Sequence, residues 1–180
     1  SEGEFQSVSQ VCAWAEKQAF LDRVEILGFI DRGISTRWIK KAGGRIINLV
    51  CKGSLRHCRE QLKKSPEEHI ADIRAEISLA RENGMRVNIY LEDWSNGMIH
   101  SPEYVYQLMD ALHGEEIEHF MLPDTLGILN PYQCFEFCAA MKERYPDCRF
   151  DFHGHNDYDL AIANVYSAVK AGIQGIHCTI

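Results

Sequence analysis

Three stretches of this chain sort their residues by parity. In Arg86 to Glu92, Val87, Ile89 and Leu91 take one parity and Asn88, Tyr90 and Glu92 the other. In Arg149 to His155, Phe150 and Phe152 oppose Asp151, His153 and His155. In Arg23 to Ile30, Val24 and Ile26 oppose Arg23, Glu25 and Leu27. Successive side chains of a β-strand point to opposite faces, so each stretch reads as a strand with one apolar and one polar side. A doubly wound sheet is covered by helices on both sides and needs two apolar faces. A barrel needs only its outer face apolar, and its inner face can carry a polar network with chemistry at the C-terminal ends of the strands. The parity therefore predicts an α/β fold of the (β/α)8 TIM barrel type.

The remaining pattern agrees. Six strand candidates, 23–30, 45–50, 86–92, 117–122, 149–155 and 175–180, alternate with segments of helical period, and another helix precedes the first strand. This order predicts a parallel sheet with helices outside it. Closure of the common barrel takes eight strands, so the prediction is an incomplete barrel. Helix starts are legible where Ser65, Ser101 and Asn130 each precede a proline, with Glu68 at the capping-box position after Ser65. Asp159 is the expected cap of the helix that follows it. No repeat, low-complexity segment or linker interrupts the chain, which reads as one domain over residues 1–180.

Composition narrows the function. The formal charge of -7 offers no footprint for nucleic acid or an anionic membrane, and no apolar run has the length of a membrane span. Seven cysteines with no C-x-x-C pair fit small buried side chains in a reducing, cytoplasmic setting rather than a disulfide framework or zinc ribbon.

Chemistry concentrates at strand ends. His153 and His155 sit at i and i+2 on the inner parity, so their imidazoles can reach one metal ion; two histidines merely joining the polar interior is the plainer alternative. Tyr90 and Glu92 share the inner parity at the end of another strand, where a hydroxyl could orient a substrate and a carboxylate move a proton. Asp93, of opposite parity, reads as a solvated loop residue. Thr125 follows a strand and could hold a carboxylate, or serve only as a turn residue. Lys52 ends a strand and reads as a solvated or ion-paired side chain rather than as a Schiff-base lysine. His57, His69, His100 and His113 read as surface residues.

Taken together, 23–30, 90–97 (YLEDWSNG), 122–127 (LPDTLG) and 152–164 (FHGHNDYDLAIAN) resemble the catalytic barrel of the isopropylmalate, homocitrate and citramalate synthases. That family of metal-dependent barrels also includes 3-hydroxy-3-methylglutaryl-CoA lyase, and the likeness is nearest the citramalate synthase type. The resemblance implies a divalent metal (zinc, manganese or magnesium) on His153 and His155 and a catalytic role for Glu92. It implies that Tyr90 and Thr125 hold a 2-oxo acid and that Leu27 and Val50 border its side chain. The implied reaction is a Claisen condensation of acetyl-CoA with pyruvate or a related 2-oxo acid, an acyl transfer of branched-chain amino-acid biosynthesis, by a homodimer. A carbon–carbon lyase or aldolase on the same site is the alternative. The family's arginine–aspartate strand and a metal-reaching asparagine have no match here. Residues 1–180 thus read as strands three to eight of the barrel, lacking the first two strands and the C-terminal regions and catalytically incomplete alone.

Overall fold

In the computed structural model, which describes residues 2–179, six strands lie side by side in chain order: β1 (Glu25–Phe29), β2 (Ile46–Lys52), β3 (Arg86–Glu92), β4 (Phe120–Asp124), β5 (Phe150–Gly154) and β6 (Gly175–Ile176). Every neighbouring pair is parallel. The helices are α1 (Glu2–Lys17), α2 (Ile34–Lys41), α3 (Pro66–Glu82), α4 (Trp94–His100), α5 (Pro102–Leu112), α6 (Pro131–Arg144) and α7 (Ala161–Lys170). A sequentially ordered parallel sheet with a helix between successive strands is the progression of a TIM barrel, here incomplete.

The parity argument holds strand by strand. Ile47, Leu49 and Cys51 of β2, Val87, Ile89 and Leu91 of β3, and Phe150 and Phe152 of β5 are buried in one core. Ile73, Ile77 and Ala80 of α3 and Leu108, Met109 and Leu112 of α5 belong to the same core. On the opposite face a polar ladder crosses three strands. Asn88 Nδ2 donates to Asn48 Oδ1 at 2.9 Å, and Asn48 Nδ2 donates to Glu25 Oε2 at 3.0 Å. This face also exposes Leu27 and Phe29 of β1.

Capping follows the sequence at two of the four expected sites. Ser65 and Asn130 both form full capping boxes, with Glu68 and Gln133 as partners. Ser101 makes no cap; its hydroxyl accepts from the Leu55 N–H at 3.3 Å and donates to the Gly97 carbonyl at 3.4 Å. Asp159 does not cap α7 either. It sits at φ 58° and its Oδ1 accepts from Asn156 Nδ2 at 3.2 Å, while Asn156 Oδ1 takes the Ala161 N–H at 3.1 Å.

Strand limits shift for local reasons. Leu21–Arg23 is a 3-10 turn, so β1 starts at Glu25. Ile117 N–H bonds to the Glu115 carbonyl in a tight turn, which delays β4 until Phe120. β6 is regular only over Gly175–Ile176, although the His177 N–H still bonds to the Phe152 carbonyl at 3.0 Å; Ile180, the end of the expected strand, lies outside the described residues. No helix among the described residues is long and apolar enough to cross a membrane.

Candidate active site

The strand register builds one rim. Lys52 pairs with Glu92, and Pro123 with His153. One residue pair earlier on the same face, Phe29 aligns with Val50, Val50 with Tyr90, and Tyr90 with Met121. A cavity of about 610 Å³ opens onto this surface, and Leu27, Val50, Tyr90, Glu92, Thr125 and His153 all line it, together with Lys52 and His69. Six of the seven residues singled out in the sequence thus share one space. The seventh, His155, is exposed and is not among the lining residues, yet its Nε2 lies 3.3 Å from His153 Nε2.

That separation suits a metal. Two imidazole nitrogens each about 2.0–2.1 Å from a tetrahedral ion stand about 3.3 Å apart, and imidazole donors suit zinc, manganese or iron. Among the described residues no group of three or more His, Cys, Asp or Glu side chains is arranged to hold an ion, so these residues supply an imidazole pair. Burial, then the neighbouring His177 and His155, pushes His153 down to about 4, leaving the neutral imidazole a metal requires. The far nitrogen, Nδ1, meets His177 Nδ1 at 3.3 Å.

The carboxylate and hydroxyls are also placed. Glu92 Oε2 forms an ion pair with Lys52 Nζ, which decides between the solvated and ion-paired readings of that lysine. Burial and then the charge of Glu92 push Tyr90 up to about 12, so its hydroxyl stays protonated. Thr125 Oγ1 accepts the Asp93 N–H at 2.9 Å, which leaves its own proton free to donate. Lys52 is clamped through its backbone, because its N–H reaches His69 Nε2 at 3.1 Å and its carbonyl accepts from the Tyr104 hydroxyl at 2.9 Å.

Two readings are corrected. Asp93 is no solvated loop residue but is buried at φ 67°. Its Oδ2 accepts from the Ser54 hydroxyl at 2.6 Å, its Oδ1 from Asn96 Nδ2 at 2.7 Å, and His57 Nε2 lies 3.4 Å from Oδ2. Parity fails for it because the residue leaves the strand in a left-handed turn and swings its side chain beneath the rim. Gly97 lets this turn close: a Cβ there would collide with the Gly53 carbonyl. His69 is likewise buried rather than on the surface, and His57 is half-buried; His100 and His113 are exposed as expected. His69 was findable, since it precedes Ile73, Ile77 and Ala80 at helical spacing on the buried stripe of α3.

Asp151, one layer below His153 on the inner face, collects a second polar group. Its Oδ2 accepts from His119 Nδ1 at 2.9 Å and lies 3.8 Å from His177 Nε2, while Arg149 Nε stands 3.6 Å from Oδ1. Burial alone would raise this carboxyl, but the nearby His177, His119 and Arg149 outweigh it and hold it below the ordinary range.

Residues 1–180 match, over their whole length, the family described as HMGL-like. The chain belongs to the HMGL-like family. Among curated proteins it is 27% identical over 124 residues to a homocitrate synthase of Sulfolobus acidocaldarius, covering 69% of this chain and 26% of that protein. A Methanopyrus kandleri protein with the provisional name (R)-citramalate synthase is 26% identical over 190 residues, covering 100% of this chain and 34% of its own length. The chain therefore spans about a quarter to a third of these relatives. Among solved structures, an HMG-CoA lyase of Bacillus subtilis superimposes with a TM-score of 0.73 at 22% identity, covering 83% of this chain and 51% of the lyase. A second, from Acinetobacter baumannii in complex with coenzyme A and 3-methylmalate, gives 0.69 at 19%, covering 83% and 50%. These likenesses establish the HMGL-like barrel.

Proposed function

We propose that this barrel catalyses a metal-dependent Claisen condensation of acetyl-CoA with a small 2-oxo acid, pyruvate or a close relative. The observation that carries this reading is the convergence of Tyr90, Glu92, Thr125 and His153 on one cavity whose wall includes Leu27 and Val50. Members of the HMGL-like family generally depend on a divalent metal, and His153 and His155 are the residues that would hold it. When bound, the ion supplies Lewis-acid polarisation of the 2-oxo group.

The chain's own residues do the rest. Thr125 donates its free proton to the substrate carboxylate, and the protonated Tyr90 hydroxyl fixes the oxo acid's orientation against the rim. Leu27 and Val50 limit the length of its side chain. Glu92, held in place by Lys52, moves the proton: the acetyl methyl group loses one, and the resulting enolate carbon bonds to the oxo carbon. The new alkoxide takes a proton up, and water then cleaves the thioester to release the coenzyme A thiol and a 2-hydroxy dicarboxylic acid. The sequence relatives are named as synthases of this kind, which favours condensation over cleavage.

The assay uses the whole encoded protein that contains residues 1–180, loaded with zinc or manganese and given pyruvate and acetyl-CoA. The expected result is thiol released in equal amount with citramalate, and a rate lowered by about 10²–10⁴ in Glu92→Gln. Carbon–carbon cleavage of a 3-hydroxyacyl-CoA to acetyl-CoA and an oxo product, with no condensation, would assign a lyase instead.

A further inference from the structure

We propose that Asp151 and His177 form an orienting chain that fixes the tautomer of His153, so that its Nε2 lone pair faces the metal position beside His155. The inference rests on the reading of His153 and His155 as ligands and goes one layer beyond it. Four imidazoles and one carboxylate form a connected run: His155 Nε2 to His153 Nε2 at 3.3 Å, His153 Nδ1 to His177 Nδ1 at 3.3 Å, His177 Nε2 to Asp151 Oδ2 at 3.8 Å as a charge contact beyond hydrogen-bond reach, and His119 Nδ1 to the same oxygen at 2.9 Å.

The chain has only one direction available. A carboxylate accepts and does not donate, whereas a neutral imidazole donates from one nitrogen and accepts at the other. His177 therefore turns its Nε2–H toward Asp151 and keeps a lone pair on Nδ1. That lone pair takes the proton of His153 Nδ1, which leaves His153 Nε2 bare. His155 can then donate its Nε2–H to that lone pair until an ion takes its place. Reversing the direction would aim a lone pair of His177 at the carboxylate.

The fold makes specific room for this carboxylate. A Cβ on Gly175 would overlap Asp151 Oδ1, so β6 carries a glycine where it crosses Asp151. Oδ1 is itself buried with no hydrogen-bond partner among the described residues. Its cation neighbour, Arg149 Nε at 3.6 Å, stands too far for a hydrogen bond; a buried carboxyl oxygen without one costs stability, and a role for the group beyond packing accounts for its presence. Residues behind a metal-bound histidine fix its tautomer and ring orientation, and their loss lowers metal affinity by about 10–100-fold.

The test has two readouts on the same protein. Two-bond ¹H–¹⁵N correlations on histidine-labelled, metal-free protein give the tautomer of His153, assigned by the peaks lost in His153→Gln. Calorimetric titration with zinc gives the affinity. The expected result is a proton on His153 Nδ1 in the native protein, a mixed population in Asp151→Asn and His177→Phe, and zinc binding weakened about 10–100-fold in both. His177 is partly exposed, so His177→Phe carries the test if Asp151→Asn fails to fold. A proton on Nε2 in the native protein, or tautomer and affinity both unmoved in a folded variant, would overturn the proposal. Native protein with the expected tautomer but no zinc binding would instead remove the metal reading and leave the orienting chain standing.

Discussion

Asp93→Ala should be among the most damaging single changes at the rim, although the residue looks like a surface acid in the sequence. The carboxylate is 2% exposed and accepts two short hydrogen bonds, from Ser54 at 2.6 Å and Asn96 at 2.7 Å. A hydrogen bond to a charged group contributes about 1.5–3 kcal/mol, so losing both removes about 3–6 kcal/mol. Alanine at φ 67° adds about 1–2 kcal/mol of backbone strain, which Asp tolerates better through local hydrogen bonding. The sum is a large part of the 5–15 kcal/mol that holds an ordinary domain together. Asp93→Asn retains the conformation and one acceptor and should cost about half as much. Urea unfolding followed by far-ultraviolet circular dichroism measures both, from the shift in midpoint at constant slope. An Asp93→Ala protein within about 1 kcal/mol of the native one would refute the reasoning, because surface substitutions stay inside about 0.5 kcal/mol.

Other outcomes follow from the same geometry. Val50→Leu should sharpen the preference for pyruvate over 2-oxobutyrate, a methylene in such a pocket being worth about 1–3 kcal/mol, and competition assays read the ratio. Burial pushes His69 down to about 4, against 6.5 in the unfolded chain. Its neutral form is favoured when folded, so the contribution is full above pH 6.5 and is lost as pH falls toward 4. That loss amounts to about 3 kcal/mol, and His69→Gln, which keeps an acceptor for the Lys52 N–H, should flatten the slope in urea melts.

Much of this was legible because a strand's period is fixed. Val87, Ile89 and Leu91 against Asn88, Tyr90 and Glu92 announced the barrel and put Tyr90 and Glu92 on its cavity, and the same logic put His153 there, whereas His155 follows the last residue of β5 and stays exposed beside it. Ser65 and Asn130 declared their helices through local chemistry alone. What escaped depends on contacts between distant segments. Asp93 is buried only because the turn after β3 meets Ser54 and His57 from the loop after β2. The pairing of His177 with Asp151 requires β6 to lie beside β5 with a glycine at the crossing. His69 lies within reach of a periodicity argument, since it shares the buried stripe of α3 with Ile73, Ile77 and Ala80.

X-ray absorption on the zinc-loaded protein reports whether His153 and His155 bind one ion beside the cavity. The spectrum should show imidazole scattering with Zn–N distances of about 2.0–2.1 Å, and stoichiometric zinc should be lost in the His153→Gln, His155→Gln double variant. A zinc shell without imidazole, or full zinc retained by the double variant, would contradict that binding.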